Sequence, residues 1–245
     1  MTDRKKGPVA DTLPSGLSER IVRDKKSFRQ SLLKWWSTNK RCYPWRHEDL
    51  SPYEVLIAEV LLRRTTATAA ETSYRHILAK YPDIQSLADA RASALEKALS
   101  RLGLQKQRAL GLKQMASHLC EKENCSIPED LDGLIAIPHI GPYAARAVLS
   151  FAYKKPSAVV DGNVIRVYSR FFSGLLPHKA NLNIFQAVAD IMLDRKRHRD
   201  FNFALLDLGA LICRPSHPIH KVCPVQRLCN FQKGCCANKS TVVEL

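Results

Sequence analysis

Apolar positions recur along the chain at the three-to-four-residue spacing of helices, and the strict alternation of strands is almost absent. Phe28, Leu32, Leu33 and Trp36 fall on one face of a first helix. Ser51-Pro52-Tyr53-Glu54 is a capping box with proline at the first helical position, and it predicts a helix running to about Arg64. Further helices are predicted over 66–80, 84–90, 92–101 and 107–121. Ser126-Ile127-Pro128 breaks the pattern. A tight hairpin through Ile137-Pro138-His139-Ile140-Gly141 then feeds a helix over 142–153, and three more fit 162–172, 181–193 and 201–212. Connections this short belong to a compact all-α fold.

Size and charge narrow the function. A chain of 245 residues makes one large or two small domains with enough core to fold without a disulfide framework. Lys and Arg total 38 against 23 Asp and Glu, and a formal charge of +15 favours a polyanionic partner. No apolar run approaches the roughly 18 residues of a membrane span. Residues 1–17 are basic and dotted with Pro and Gly, without the apolar stretch of a secretory signal, and are predicted to be a flexible arm. The expected location is therefore inside the cell, at the nucleoid or in a nucleus.

The region from Ile137 to Val164 carries most of the candidate chemistry. Gly141 allows close backbone approach, Pro142 suits the first helical turn, and the N–H groups of such a turn can seat a phosphate. Asp161-Gly162-Asn163 opens the next helix. Aspartate there can simply cap its own helix, or it can stabilise a developing sugar cation. Glu59 interrupts the apolar run Ile57-Ala58-Glu59-Val60-Leu61-Leu62, where burial would suit a general acid and pairing with Arg63 is the structural alternative. Tyr143 can pack at a helix start or hydrogen-bond a base. Arg63 and Arg64 end the Glu59 helix as a solvated pair or as contacts to phosphate and base.

Five of the eight cysteines gather near the C-terminus. Cys213, His220, Cys223 and Cys229 read C-x6-H-x2-C-x5-C, a spacing able to hold zinc or an iron–sulfur centre. Cys235 and Cys236 are spare thiols that could replace His220. Cys42, Cys120 and Cys125 are scattered and read as core or surface thiols.

Together these residues resemble the helix-hairpin-helix DNA glycosylases of the endonuclease III superfamily, from about Ser27 to Cys235. Glu59-Val60-Leu61-Leu62-Arg63-Arg64-Thr65-Thr66 is most similar to the thymine–guanine mismatch branch, since adenine glycosylases carry glutamines where Arg63 and Arg64 stand. Tyr43-Pro44-Trp45-Arg46 is similar to a segment of the adenine branch, and Asp207-Leu208-Gly209-Ala210 to the family's last helix. The resemblance implies a two-lobed all-α fold with a C-terminal iron–sulfur loop. One lobe would be 47–153 with the hairpin, the other 18–46 with 154–245, and mismatched double-stranded DNA would lie in a basic cleft between them.

It also implies roles. Asp161 would stabilise the sugar cation and orient water; Glu59 and Tyr143 would contact the extruded pyrimidine. Arg64 would fill the gap or contact the orphan guanine. A lysine at position 143 would form a Schiff base and cut the strand, so Tyr143 implies base removal by water alone. The cofactor would be a 4Fe–4S cluster on Cys213, His220, Cys223 and Cys229, and the enzyme a monomer. Two residues depart from the family: His139 replaces a glycine at a position suited to positive φ, with a phosphate contact of its own as one outcome, and His220 replaces a cysteine. The alternatives are adenine excision from G·A or oxidised-guanine·A pairs, and a non-catalytic, zinc-stabilised DNA-binding module.

Overall fold

The computed structural model describes residues 13–237, and among them it contains twelve α-helices and no strand. The chain divides into two compact units: a central one, Cys42–Lys155, and a terminal one formed by the residues up to Arg41 with those from Pro156 onward.

The central unit is built around α2 (Pro52–Leu62). Its capping box forms as the sequence predicts: Glu54 N–H donates to Ser51 Oγ at 3.2 Å, and Ser51 N–H donates to Glu54 Oε2 at 2.7 Å. A helix this apolar on every side belongs in a core. Accordingly Val55, Leu56, Ile57, Ala58, Glu59, Val60 and Leu61 are all buried. α3 (Ala67–Lys80), α6 (Gln105–Glu123) and α8 (Pro142–Phe151) enclose it, while the short α4 (Ile84–Ala88) and α5 (Ala92–Leu99) lie against α6. Trp45 is buried edge-on to Tyr74 of α3 at 5.5 Å, which fixes the Tyr43–Arg46 segment onto this core.

Two features of this unit were not anticipated. The hairpin is preceded by a six-residue helix, α7 (Leu131–Ala136), capped by Asp130; six residues are too few to display a helical period. Cys120 and Cys125, expected as separate thiols, are joined by a disulfide. The reason is local: α6 ends at Glu123, and Asn124 and Cys125 take φ of 49° and 55°, folding Cys125 back on the last turn.

In the terminal unit, α1 (Ser15–Asn39) begins inside the stretch read as an arm, because Leu13, Leu17 and Ile21 bury their side chains. The rest of that stretch, residues 1–12, lies outside the described residues. α9 (Gly162–Phe171), α10 (Leu182–Met192) and α11 (His198–Asp207) pack around Phe28, whose ring meets Phe171 edge-on at 4.7 Å. α12 (Asn230–Ala237) follows the cysteine loop. The helix predicted over 201–212 instead changes register after α11, into a π turn over Leu208–Ile212 closed by Cys213 N–H on the Leu208 carbonyl at 2.7 Å. Such single π turns insert one extra residue per turn and frequently mark functional sites. No helix among the described residues is long and apolar enough to cross a membrane.

Candidate active site and nucleic-acid interface

In the central unit, the hairpin turns through His139 at φ 66°. A side chain there is strained, and the unit compensates by using it. The ring lies over Gly111 of α6, whose missing Cβ would stand 3.5 Å from His139 Cγ. Nε2 is 2.6 Å from Gln114 Oε1, within hydrogen-bond distance. The histidine thus anchors the hairpin to α6. Gly141 then starts α8 at φ −95°, with Pro142 in the first turn, and no side chain caps this start. Tyr143 is half-buried one residue further on.

Glu59 lies in the enclosed middle of α2 and is 7% exposed. Arg63 and Arg64 occupy the turn that follows. Arg63 Nη1 donates to the His139 carbonyl at 2.8 Å, so it joins this turn to the hairpin. Arg64 is exposed and has φ 52°, a left-handed conformation costing about 1–3 kcal/mol for a side-chain-bearing residue.

Strain of that kind persists only where neighbours enforce it, and the neighbour here is Arg108 of α6, 9% exposed. Its guanidinium donates to the carbonyls of Val60 (3.2 Å), Leu61 (3.3 Å) and Arg63 (2.6 Å), to Thr65 Oγ1 (2.6 Å), and to the Gly103 carbonyl (3.1 Å). It therefore satisfies the last carbonyls of α2, where a positive charge also complements the helix dipole.

In the terminal unit, Asp161 is the N-cap of α9 and half-buried. Oδ1 accepts from Val164 N–H at 2.8 Å, and Oδ2 accepts from Asn163 Nδ2 at 2.7 Å. The structural alternative is thus realised, and it does not exclude chemistry: an ionised carboxylate has about four acceptor sites, two of which are used here. Asn163 is itself fixed. Its Oδ1 accepts from Arg166 Nη2 at 2.8 Å, and Arg166 also donates to the carbonyls of Gly209 (2.8 Å) and Cys213 (2.8 Å). Gly209, in the π turn, leaves the space that Asn163 occupies; a Cβ there would stand 2.7 Å from Asn163 Cβ. Hydrogen bonds therefore run without a break from the Asp161 carboxylate to the backbone of Cys213.

Cys213, His220, Cys223 and Cys229 line one pocket, whose remaining walls include Val167, Phe171, Leu208 and Phe231. Burial pushes the Cys223 thiol up to about 11, assisted by the neighbouring Cys229 and Cys213, and burial raises Cys229 as well. Arg170 supplies a cation at the pocket: Nη1 lies 3.4 Å from Cys213 Sγ, and the guanidinium stacks over Phe231 at 5.2 Å. The His220 ring stacks on the same Phe231 at 5.8 Å. Among the described residues, no three His, Cys, Asp or Glu groups are arranged to hold a single metal ion. The side chains of Cys235 and Cys236 lie outside the described residues.

Glu59, Tyr143, Arg63, Arg64, His139 and Gly141 thus share the central unit, and Asp161 shares the terminal unit with the four cluster candidates. The sequence reading missed Arg166, Arg170 and Arg108. The first two stand four residues apart on α9, a helical spacing that could have pointed to them as a pair. Arg108 left no such signal, since its acceptors outside α6 and its approach lie up to 48 residues away.

A hairpin whose glycine opens one helix, and an aspartate that caps another, are the two helix starts of the candidate site. The chain belongs to the HhH-GPD superfamily of base excision DNA repair proteins, whose family model matches residues 57–180. Among its relatives, a thymine/uracil-DNA glycosylase of Methanothermobacter thermautotrophicus is 32% identical over 86% of this chain and 96% of its own length. An adenine DNA glycosylase of Schizosaccharomyces pombe is 35% identical over 82% of this chain, which spans 48% of that protein. In three dimensions the chain is similar to a thermostable thymine-DNA glycosylase, with a TM-score of 0.82, 33% identity, and coverage of 87% of this chain and 99% of that one. It also shares the fold of endonuclease III in a non-covalent DNA complex, at a TM-score of 0.74 and 22% identity.

Proposed function

We propose that this chain is a monofunctional DNA N-glycosylase that removes thymine or uracil mispaired with guanine in double-stranded DNA, acting as a monomer inside the cell. The observation that carries this reading is the end-to-end similarity to the thymine/uracil-DNA glycosylase of Methanothermobacter thermautotrophicus, over 96% of that protein. The similarity to adenine DNA glycosylases covers less than half of the Schizosaccharomyces pombe protein, and Arg63 and Arg64 stand where that branch has glutamines.

In this reading the mispaired nucleotide leaves the stack, at a cost of a few kcal/mol that a mismatch lowers. The hairpin and the start of α8 hold backbone phosphate. Arg63 and Arg64 address the bases at the lesion, and Glu59 and Tyr143 contact the extruded pyrimidine. Asp161 stabilises the positive charge that develops on the deoxyribose as the glycosidic bond breaks, and it orients the water that completes hydrolysis. Tyr143 offers no amine for a Schiff base, so the strand is left intact.

The pocket of Cys213, His220, Cys223 and Cys229 fits a 4Fe–4S cluster. Three thiols and an imidazole gathered around one mainly apolar pocket beside Arg170 are a donor set that would hold an iron–sulfur core. Bound there, the cluster would cross-link the loop to the end of the π turn. An imidazole ligand at position 220 in place of a thiolate would remove one negative charge and raise the cluster's potential.

The test is a panel of duplexes bearing G·T, G·U, G·A and oxidised-guanine·A pairs, treated with enzyme and then alkali. Cleavage of the G·T and G·U strands, and only after alkali, is the expected result. Cleavage of the G·A strands would move the enzyme to the adenine branch; no cleavage by a protein that binds zinc would favour the non-catalytic module. Iron, sulfide and zinc contents of the same preparation test the cluster, with brown colour for iron–sulfur.

A further inference from the structure

Two exposed residues of the central unit sit in left-handed backbone next to each other's supports. Arg64 follows α2 at φ 52°, and Leu104 precedes α6 at φ 51°. Leu104 is 52% exposed, has no side-chain cap to offer its helix, and follows Gly103 at φ 70°. Neither conformation suits its residue type, and left-handed backbone at a leucine persists only where its neighbours enforce it. Arg108 touches both turns at once. Through Nη2 it binds the Arg63 carbonyl and Thr65 Oγ1 on either side of Arg64, and through Nε it binds the carbonyl of Gly103 beside Leu104. The Arg108 N–H itself donates to the Leu104 carbonyl at 3.0 Å. Its side-chain partners are all carbonyl or hydroxyl oxygens, and all belong to these two turns or to the end of α2.

We propose that Arg108 is a positioning residue for mismatch recognition: its guanidinium locks the Arg63–Thr65 and Gly103–Leu104 turns into one rigid element, which presents Arg64 and Leu104 to the DNA together. A cation beside an apolar wedge matches what a disrupted base step offers, an anionic backbone on the outside and unstacked base faces within. Only a planar fork with five donors can satisfy acceptors spread over both turns; a lysine keeps the charge but cannot span them. The inference rests on the proposed action on mismatched DNA and assigns a residue to that action which never touches the DNA itself.

The experiment uses a G·T duplex with 2-aminopurine beside the mismatch, whose fluorescence rises when its base unstacks, alongside single-turnover base release. The variants are Arg108→Lys, the pair Arg64→Ala with Leu104→Ala, and the three changes combined, each checked for its fold by circular dichroism and thermal unfolding. Arg108→Lys is expected to cut both the fluorescence rise and the rate at least tenfold. The Arg64/Leu104 pair should lose a similar amount, and adding Arg108→Lys to that pair should cost less than a further twofold, because the residue acts through those two side chains. Full multiplication of the losses would show Arg108 to be structural only and would overturn the proposal. A folded Arg108→Lys variant with the wild-type fluorescence rise would overturn it too, as would a wild type that produces no rise. A wild type that unstacks the mismatch but releases no base would instead sink the glycosylase reading, and Arg108 would then stand or fall on the fluorescence alone.

Discussion

The two helix starts that frame the candidate chemistry are built in opposite ways. α9 carries its own anion: Asp161 caps it through Oδ1, and Asn163 holds the other carboxylate oxygen. α8 carries none, since Gly141 offers no side chain and Pro142 no N–H. Helix starts are electropositive in both cases. One is satisfied from within, which fixes a carboxylate at a defined place. The other is left for an anion from outside, which suits a phosphate. In the proposed reading, a single local motif thereby supplies a catalytic anion in one unit and an anion receptor in the other, and the difference lies in one side chain.

Asp161→Asn breaks the comparison most severely. Asparagine caps a helix about as well as aspartate, so the unfolding temperature should change little. Loss of the negative charge should slow base release from a G·T or G·U duplex by about 10²–10³-fold, the scale of losing one preorganised electrostatic contact. Duplex affinity, measured by fluorescence anisotropy, should persist. A variant that releases base at the wild-type rate would reduce Asp161 to its capping role.

Gly209→Ala reaches the same carboxylate from a distance. The added Cβ would stand 2.7 Å from Asn163 Cβ and 3.4 Å from its Cα, so Asn163 must move and its bond to Asp161 Oδ2 loosens. One weakened hydrogen bond to a charged group is worth about 1.5–3 kcal/mol, which predicts a rate loss of roughly 10- to 100-fold. Some stability should be lost as well. Single-turnover kinetics below the unfolding range separates the two: a variant that loses stability while keeping its rate would show that Asn163 does not tune Asp161.

What the sequence revealed and what it hid follow from range. The Ser51/Glu54 capping box, the Pro142 start and the Asp161 cap involve partners three residues apart, and such spacings are written in the chain. The C-x6-H-x2-C-x5-C spacing likewise anticipated four donors around one pocket. The Cys120–Cys125 disulfide was missed although its partners are close in sequence, because it depends on two consecutive left-handed residues that neither composition nor periodicity signals. The π turn was read as plain helix, since one inserted residue leaves the apolar period nearly intact. Arg108 and Arg166 were not singled out, because most of their acceptors come from segments 43 or more residues away, and only folding brings these together.

The smallest expected effect sharpens the comparison from the other side, by giving α8 the cap that α9 has. Gly141 has φ −95°, and nothing lies within 4 Å of the position a Cβ would take, so Gly141→Asp meets neither strain nor a clash. The new carboxylate should cap α8 as Asp161 caps α9, and it removes a flexible glycine, together adding about 0.5–1 kcal/mol to stability. The same carboxylate would occupy the place of an incoming phosphate and repel it. Duplex affinity should fall about threefold to tenfold, and one phosphate contact should vanish from the salt dependence, lowering the slope of log K against log salt by about 0.9. Higher stability with weaker, less salt-dependent binding is the combined signature, read by thermal unfolding and by titrations at several salt concentrations. Affinity and slope both unchanged in a stabilised variant would mean that the start of α8 is an ordinary helix end, and the phosphate seat would have to be sought elsewhere on the central unit.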